Sequence, residues 1–197
     1  MDIIINGLQK SFGEQVVLNE FDAVFRQGEL SCIMGRSGCG KTTLLNILLG
    51  LVPYEAGTIE GLPDKISCVF QEDRLCEDFS PVTNIRIACG KNVSKTEIEA
   101  QLKNVGLEDS AYRPVRELSG GMKRRTAIVR ALMTDAELII LDEPFKGLDE
   151  LTKRFVAEYV KDNLRGRTAI MVTHDLEEVS LMGGRLIEMS ASDTGDF

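Results

Sequence analysis

The sequence has no apolar run near the ~20 residues that a membrane-crossing helix requires. Any service to a membrane must therefore pass through a partner. Met1 is followed by Asp2 and the short run Ile3-Ile4-Ile5, with no basic stretch ahead of it, so no secretory leader is expected. Cysteines lack pairing: Cys32, Cys39, Cys68, Cys76 and Cys89 are odd in number and include no Cys-x-x-Cys, which speaks against a disulfide framework and a zinc site. Reduced thiols in the cytosol are expected. Positive charge is also short, with 23 Lys and Arg against 31 Asp and Glu and a net charge of -8, a poor balance for a chain that wraps a nucleic acid backbone. One local basic group, Arg113, Arg116, Lys123, Arg124 and Arg125, is expected to form a solvated helix face or to pair with carboxylates. There is no internal repeat and no low-complexity linker, and His174 is the only histidine.

The 197 residues suit one domain with a substantial core, spanning 1–197. Strand and helix signals alternate, which predicts an α/β fold with a mainly parallel sheet. Ile3 to Leu8 and Phe21 to Phe25 read as strands of an antiparallel layer ahead of the core. Strands are predicted at Glu29 to Met34, Ile66 to Phe70, Glu137 to Leu141, Thr168 to Thr173 and Arg185 to Met189. Helices are predicted at Lys41 to Leu49, Met122 to Met133, Leu151 to Leu164 (with Phe155, Val156, Tyr159 and Val160 on its apolar stripe) and from Asp175. Residues 75–117 carry no strand signal. The capping box Ser94-Lys95-Thr96-Glu97 opens a helix there that stops at Gly106, so this stretch reads as a small helical insertion. The polar end, Ser190 to Phe197, is expected to fray.

Three clusters carry chemistry. Gly35-Arg36-Ser37-Gly38-Cys39-Gly40-Lys41-Thr42, followed by Thr43, has a strand before it and a helix after it, the context of a phosphate-binding loop. Glycines let the loop curl so that successive amides face phosphate oxygens, and the helix N-terminus adds partial positive charge. Lys41 is then placed for the β- and γ-phosphates and Thr42 for Mg²⁺. The strand Leu138-Ile139-Ile140-Leu141 ends in Asp142, a Mg²⁺ ligand candidate, and Glu143, a candidate to polarise an attacking water. Leu118-Ser119-Gly120-Gly121-Met122 opens a helix with amides free for an anion.

In this order the motifs resemble the ABC (ATP-binding cassette) ATPases, and the resemblance covers nearly the whole chain. It implies a P-loop core with an N-terminal antiparallel β subdomain and a small helical subdomain. It also implies ATP and Mg²⁺ as ligands. Phe12 resembles the aromatic that stacks on adenine. Gln71 resembles the glutamine that links Mg²⁺ and water to the channel, and His174 the histidine that contacts the γ-phosphate. Gly147-Leu148-Asp149 resembles the loop at the dimer interface, though Asp149 also suits a helix cap. In the family, Ser119, Gly120 and Gly121 would face the nucleotide held by a second subunit. The implied partners are an integral membrane permease gripped beside the helical insertion by Glu72, Asp73, Arg74 and Leu75, a second ATPase subunit, and an extracytoplasmic solute-binding protein. No nucleic acid is expected. The implied place is cytoplasmic, on the inner face of the membrane.

The Leu-Ser-Gly-Gly-Met signature resembles importer subunits for nitrate, sulfonates or taurine. An exporter subunit, an ABC ATPase of DNA or ribosomes, and an ATP-binding module without turnover are the alternatives. The DNA and ribosome class commonly has coiled-coil insertions or paired cassettes, neither of which is present, and the four groups Lys41, Asp142, Glu143 and His174 speak for turnover. Departures from the family pattern are Phe12 for the commoner Tyr, Met122 for the commoner Gln, a short Lys41 to Gln71 stretch that predicts a trimmed β subdomain, and Lys146, whose role the sequence does not explain. The chain ends soon after its last predicted strand, so no appended regulatory domain is expected.

Overall fold

A computed structural model of the chain describes residues 1–90 and 93–189. The expected fraying of Ser190 to Phe197 falls outside the described residues. The order is β1 (Ile3–Phe12), β2 (Gln15–Phe25), β3 (Leu30–Met34), α1 (Lys41–Leu48), β4 (Ala56–Glu60), β5 (Ile66–Val69), α2 (Pro81–Cys89), α3 (Lys95–Lys103), α4 (Gly120–Leu132), β6 (Leu138–Asp142), α5 (Glu150–Leu164), β7 (Thr168–Val172), α6 (Leu176–Met182) and β8 (Arg185–Glu188).

Two sheets form. An antiparallel sheet runs β2-β1-β4, and a wholly parallel one runs β5-β6-β7-β3-β8. Whereas the edge strand β8 is largely exposed and carries Arg185 and Glu188, the central strands β6, β7 and β3 are mostly apolar and buried, because both of their faces are covered. Their period of two sorts the core. Ile139, Leu141, Ala169 and Met171 join the side chains of α4, α5 and α6, whereas Leu138, Ile140, Ile170 and Val172 join those of α1 and of the antiparallel sheet. The β layer expected at the start is therefore the cover of one face, with longer strands than its hydrophobic alternation indicated.

Between β5 and α4 the described residues are helical, as the missing strand signal implied, with α2 and α3 and two short 3₁₀ turns among them. The capping box holds: the Ser94 hydroxyl accepts from the Glu97 amide at 3.2 Å and the Glu97 carboxylate accepts from the Ser94 amide at 2.7 Å. Phe155 departs from its predicted place. It is 52% exposed, and the α5 stripe is built by Val156, Ala157, Tyr159, Val160 and Leu164.

Candidate functional site

Parallel strands deliver their following loops to one edge of the sheet, and ligands bind outside that edge. Here β3 runs into the loop 35–40, β5 into Gln71, β6 ends on Asp142 with Glu143 next, and β7 leads to His174. The registers Ile33↔Val172 and Asp142↔Val172 set the three central strands level. All these groups meet in a cavity of about 430 Å³, lined by Gly35, Ser37, Gly38, Gly40, Lys41, Thr42, Thr43, Gln71, Asp142, Glu143 and His174, with Val17, Val172 and Phe12 as apolar walls.

The loop is built for a close backbone approach. Gly40 has φ +91°, and a Cβ there would lie 2.8 Å from the Val17 carbonyl oxygen. Gly40 caps α1 with no side-chain hydrogen bond, so the first amides of the helix are left to an anion. Lys41 Nζ donates to the carbonyls of Gly35 at 2.7 Å and Arg36 at 2.9 Å. Cys39 lies behind the loop and not on the cavity wall. It is buried, with Sγ 3.7 Å from Lys41 Nζ and its amide bonded to the Arg36 carbonyl.

The acidic side holds two unlike carboxylates. Burial, then the neighbouring Glu143 charge, pushes the Asp142 carboxyl above its ordinary range, against the pull of Arg124, Lys41 and Lys146. Glu143 has φ +45°, unusual for a residue with a side chain. Its amide donates to the Val172 carbonyl at 2.9 Å, and its carboxylate lies 3.3 Å from His174 Nδ1. Lys146, unexplained by the sequence, reaches the other Glu143 oxygen at 3.5 Å. Thr42, Gln71 and Asp142 bring a hydroxyl, an amide and a carboxylate into the one cavity. These hard oxygen donors suit Mg²⁺, and a cation there would relieve the repulsion between Asp142 and Glu143.

Phe12 is 52% exposed at the end of β1, so it is a wall of the cavity and not core. Ser119, Gly120, Gly121 and Asp149 do not line the cavity. Ser119 caps α4, accepting from the Met122 amide at 3.3 Å, and it is exposed together with Gly120. Asp149 caps α5, accepting from the Thr152 amide at 3.0 Å and hydroxyl at 2.6 Å.

The basic group resolves into pairs: Arg113 with Glu117, Arg116 with Asp78, and Lys123 with Glu77, while Arg125 donates to the Val105 carbonyl. Arg124 is different, with its side chain 3% exposed and bonded around the site. The sequence held one signal for this. Arg124 lies three and four residues before Ala127 and Ile128, on the apolar face of its own helix.

Residues 18–146 match the family profile described as ABC transporter. The chain is 38% identical over 187 residues to an aliphatic sulfonates import ATP-binding protein of Frankia alni, covering 94% of this chain and 76% of that protein. It is 38% identical over 198 residues to a protein of the same description from Nocardia farcinica, covering 99% and 79%. It is 35% identical over 200 residues to the taurine import ATP-binding protein of Escherichia coli O157:H7, covering 94% and 78%.

Proposed function

We propose that this chain, which belongs to the ABC transporter family, is the ATP-hydrolysing subunit of a membrane importer and works as a head-to-tail pair on a separate permease. The observation that carries this reading is the convergence of Lys41, Gln71, Asp142, Glu143 and His174 on one cavity at the edge of the parallel sheet.

Lys41 would exchange the Gly35 and Arg36 carbonyls for the β- and γ-phosphate oxygens, while the loop amides and the start of α1 cradle the chain of phosphates. Ser37, Gly38 and Gly40 contribute through that loop, with Cys39 supporting it from behind, Thr43 contributes from the first turn of α1, and the exposed Phe12 ring offers a face for the adenine. Thr42, Gln71 and Asp142 would hold Mg²⁺, which when bound neutralises phosphate charge. Glu143 acts as the base that orients and deprotonates the water, and His174, beside it, is placed for the γ-phosphate.

Ser119, Gly120 and Gly121 stand outside this cavity, Ser119 and Gly120 exposed and Gly121 half-buried, which suits contact with a nucleotide held by another copy. Asp149 sits at the same interface while capping α5. ATP then holds the pair closed, and hydrolysis releases it.

A groove of about 690 Å³ between β5 and the helical part, lined in part by Arg74, Ile87, Ala88 and Arg130, is the proposed seat of the permease. Of the four residues expected to grip the permease, Arg74 lines this groove, while the Asp73 carboxylate turns inward to Arg124. No helix among the described residues is long and apolar enough to cross a membrane. A peripheral place on the inner face, reached through the permease, fits that. The names of the relatives support an aliphatic sulfonate or taurine as the cargo, and an extracytoplasmic binding protein, implied by the family resemblance alone, would deliver it.

The test is the size in solution of Glu143→Gln with and without Mg-ATP, beside turnover by the unaltered chain. The substitution slows hydrolysis by about 10²–10⁴-fold and traps an ATP-dependent dimer. A monomer at saturating Mg-ATP, with and without the permease, sinks the paired mechanism. Absence of ATP turnover by the unaltered chain with the permease sinks the motor reading itself.

A further inference from the structure

The buried guanidinium of Arg124 bonds to two loops at once. Its Nε donates to the Pro144 carbonyl at 2.9 Å, and Nη2 donates to the carbonyls of Asp142 at 2.8 Å and of Glu143. Nη1 donates to the Phe70 carbonyl at 2.5 Å and pairs with the Asp73 carboxylate at 3.1 Å. One planar fork therefore spans the end of β5, where Gln71 begins, and the end of β6, where Glu143 stands. Five donors in a fixed plane meet these divergent acceptors, an arrangement that a lysine ammonium, a compact group with three donors, does not reproduce.

Both loops are held in unusual conformations. Glu143 at φ +45° and Arg74 at φ +45° are residues with side chains in the left-handed region, which persists only where the surroundings fix it. Arg124 holds the Glu143 carbonyl. Arg130, farther along α4, donates to the carbonyls of Asp73 at 3.0 Å and of Arg74 at 2.7 Å. Helix α4 thus grips the segments that carry Gln71 and Glu143, and the same helix carries Ser119 as its cap.

We propose that Arg124 is a positioning residue that sets Gln71 and Glu143 for hydrolysis and ties both to the helix that begins at Ser119. Its role in communication rests on the paired reading above: Ser119 of a chain meets the partner's nucleotide, and Arg124 passes a shift of α4 to the hydrolytic groups of its own chain.

Two variants test this in the full chain, Arg124→Gln and Arg124→Lys, each read by hydrogen exchange and by ATP turnover. Exchange in residues 70–74 and 142–147 rises about tenfold or more and stays within about twofold in β1 and β2. The kcat falls about tenfold or more while KM for ATP stays within about threefold. Lysine does not rescue either readout, since the fork and not the charge sets the loops. Unchanged exchange in the two segments overturns the proposal. So does rescue by lysine, or a rise in KM with kcat preserved. Exchange is read without turnover, so an inactive unaltered chain sinks the motor reading and still leaves the placement by Arg124 measured. If both arginine variants fail to fold, Asp73→Asn removes a single partner. Raised exchange in 70–74 with a lower kcat then supports the proposal, and no change in either opposes it.

Discussion

The three glycines of the phosphate loop separate two costs that are usually confounded. At Gly38, φ is +83° and an added Cβ meets nothing within 4 Å, so alanine there meets only the backbone penalty. That penalty is about 1–2 kcal/mol, offset by about 0.4–1 kcal/mol from the stiffer unfolded chain, so a net loss of about 0–1.6 kcal/mol is expected. At Gly35 no positive φ is involved, but the Cβ would lie 2.4 Å from the Met189 carbonyl oxygen and 2.6 Å from Cys39 Sγ. Overpacking against a backbone atom costs about 1–3 kcal/mol. Gly40 incurs both costs, with φ +91° and a Cβ 2.8 Å from the Val17 carbonyl, so about 2–4 kcal/mol is expected. The predicted order of destabilisation is Gly40→Ala, then Gly35→Ala, then Gly38→Ala. Denaturant unfolding of the nucleotide-free chain, followed by circular dichroism, measures it, with each kcal/mol worth about 2–4 °C in Tm at this size. Equal losses at Gly38 and Gly40, or a Gly40→Ala loss under about 0.5 kcal/mol, would refute the steric reasoning.

Three further outcomes follow from single sites. The raised Asp142 carboxyl adds stability below its ordinary pKa of 3.8, and that contribution is lost as pH rises through the folded value. Asp142→Asn therefore raises the Tm of the nucleotide-free chain at neutral pH, with the difference closing below about pH 4. A Tm unchanged or lower at neutral pH contradicts this. Burial pushes the thiols of Cys32 and Cys68 up to about 11 and about 12, whereas Cys76 is exposed. In the native chain a thiol reagent modifies Cys76 first, and peptide mapping that found Cys32 or Cys68 ahead of it would oppose that. Ser94→Ala removes half of the capping box and lowers stability by about 1 kcal/mol, read by urea unfolding, without altering the kcat for ATP.

What the sequence disclosed depended on how local each determinant is. Whereas the apolar walls Val17 and Val172 had no signal of their own, the polar groups lining the cavity were legible because each lies at the end of a strand of the parallel sheet or in or just beyond the loop that follows it, and such a sheet sends all these loops to one edge. Strand β4 was not, since Ala56–Glu60 is almost wholly exposed and includes Gly57, leaving no alternation to detect. Helix α2 had its signal in Ser80-Pro81, a cap followed by proline in the first turn, but its short apolar face merged with the loop before it. Lys146 became intelligible only when the turn after β6 set it three residues from Glu143 on the same side. Arg124 is the hardest case. Its acceptors are mostly backbone carbonyls, as far as 54 residues away, and a carbonyl has no residue identity to read. Side chains that do chemistry announce themselves by type and spacing, while those that aim them bind whatever backbone is near. A positioning residue is therefore found in sequence only as a contradiction, a charge on a face that packs inward, and Arg124 beside Ala127 and Ile128 is such a contradiction.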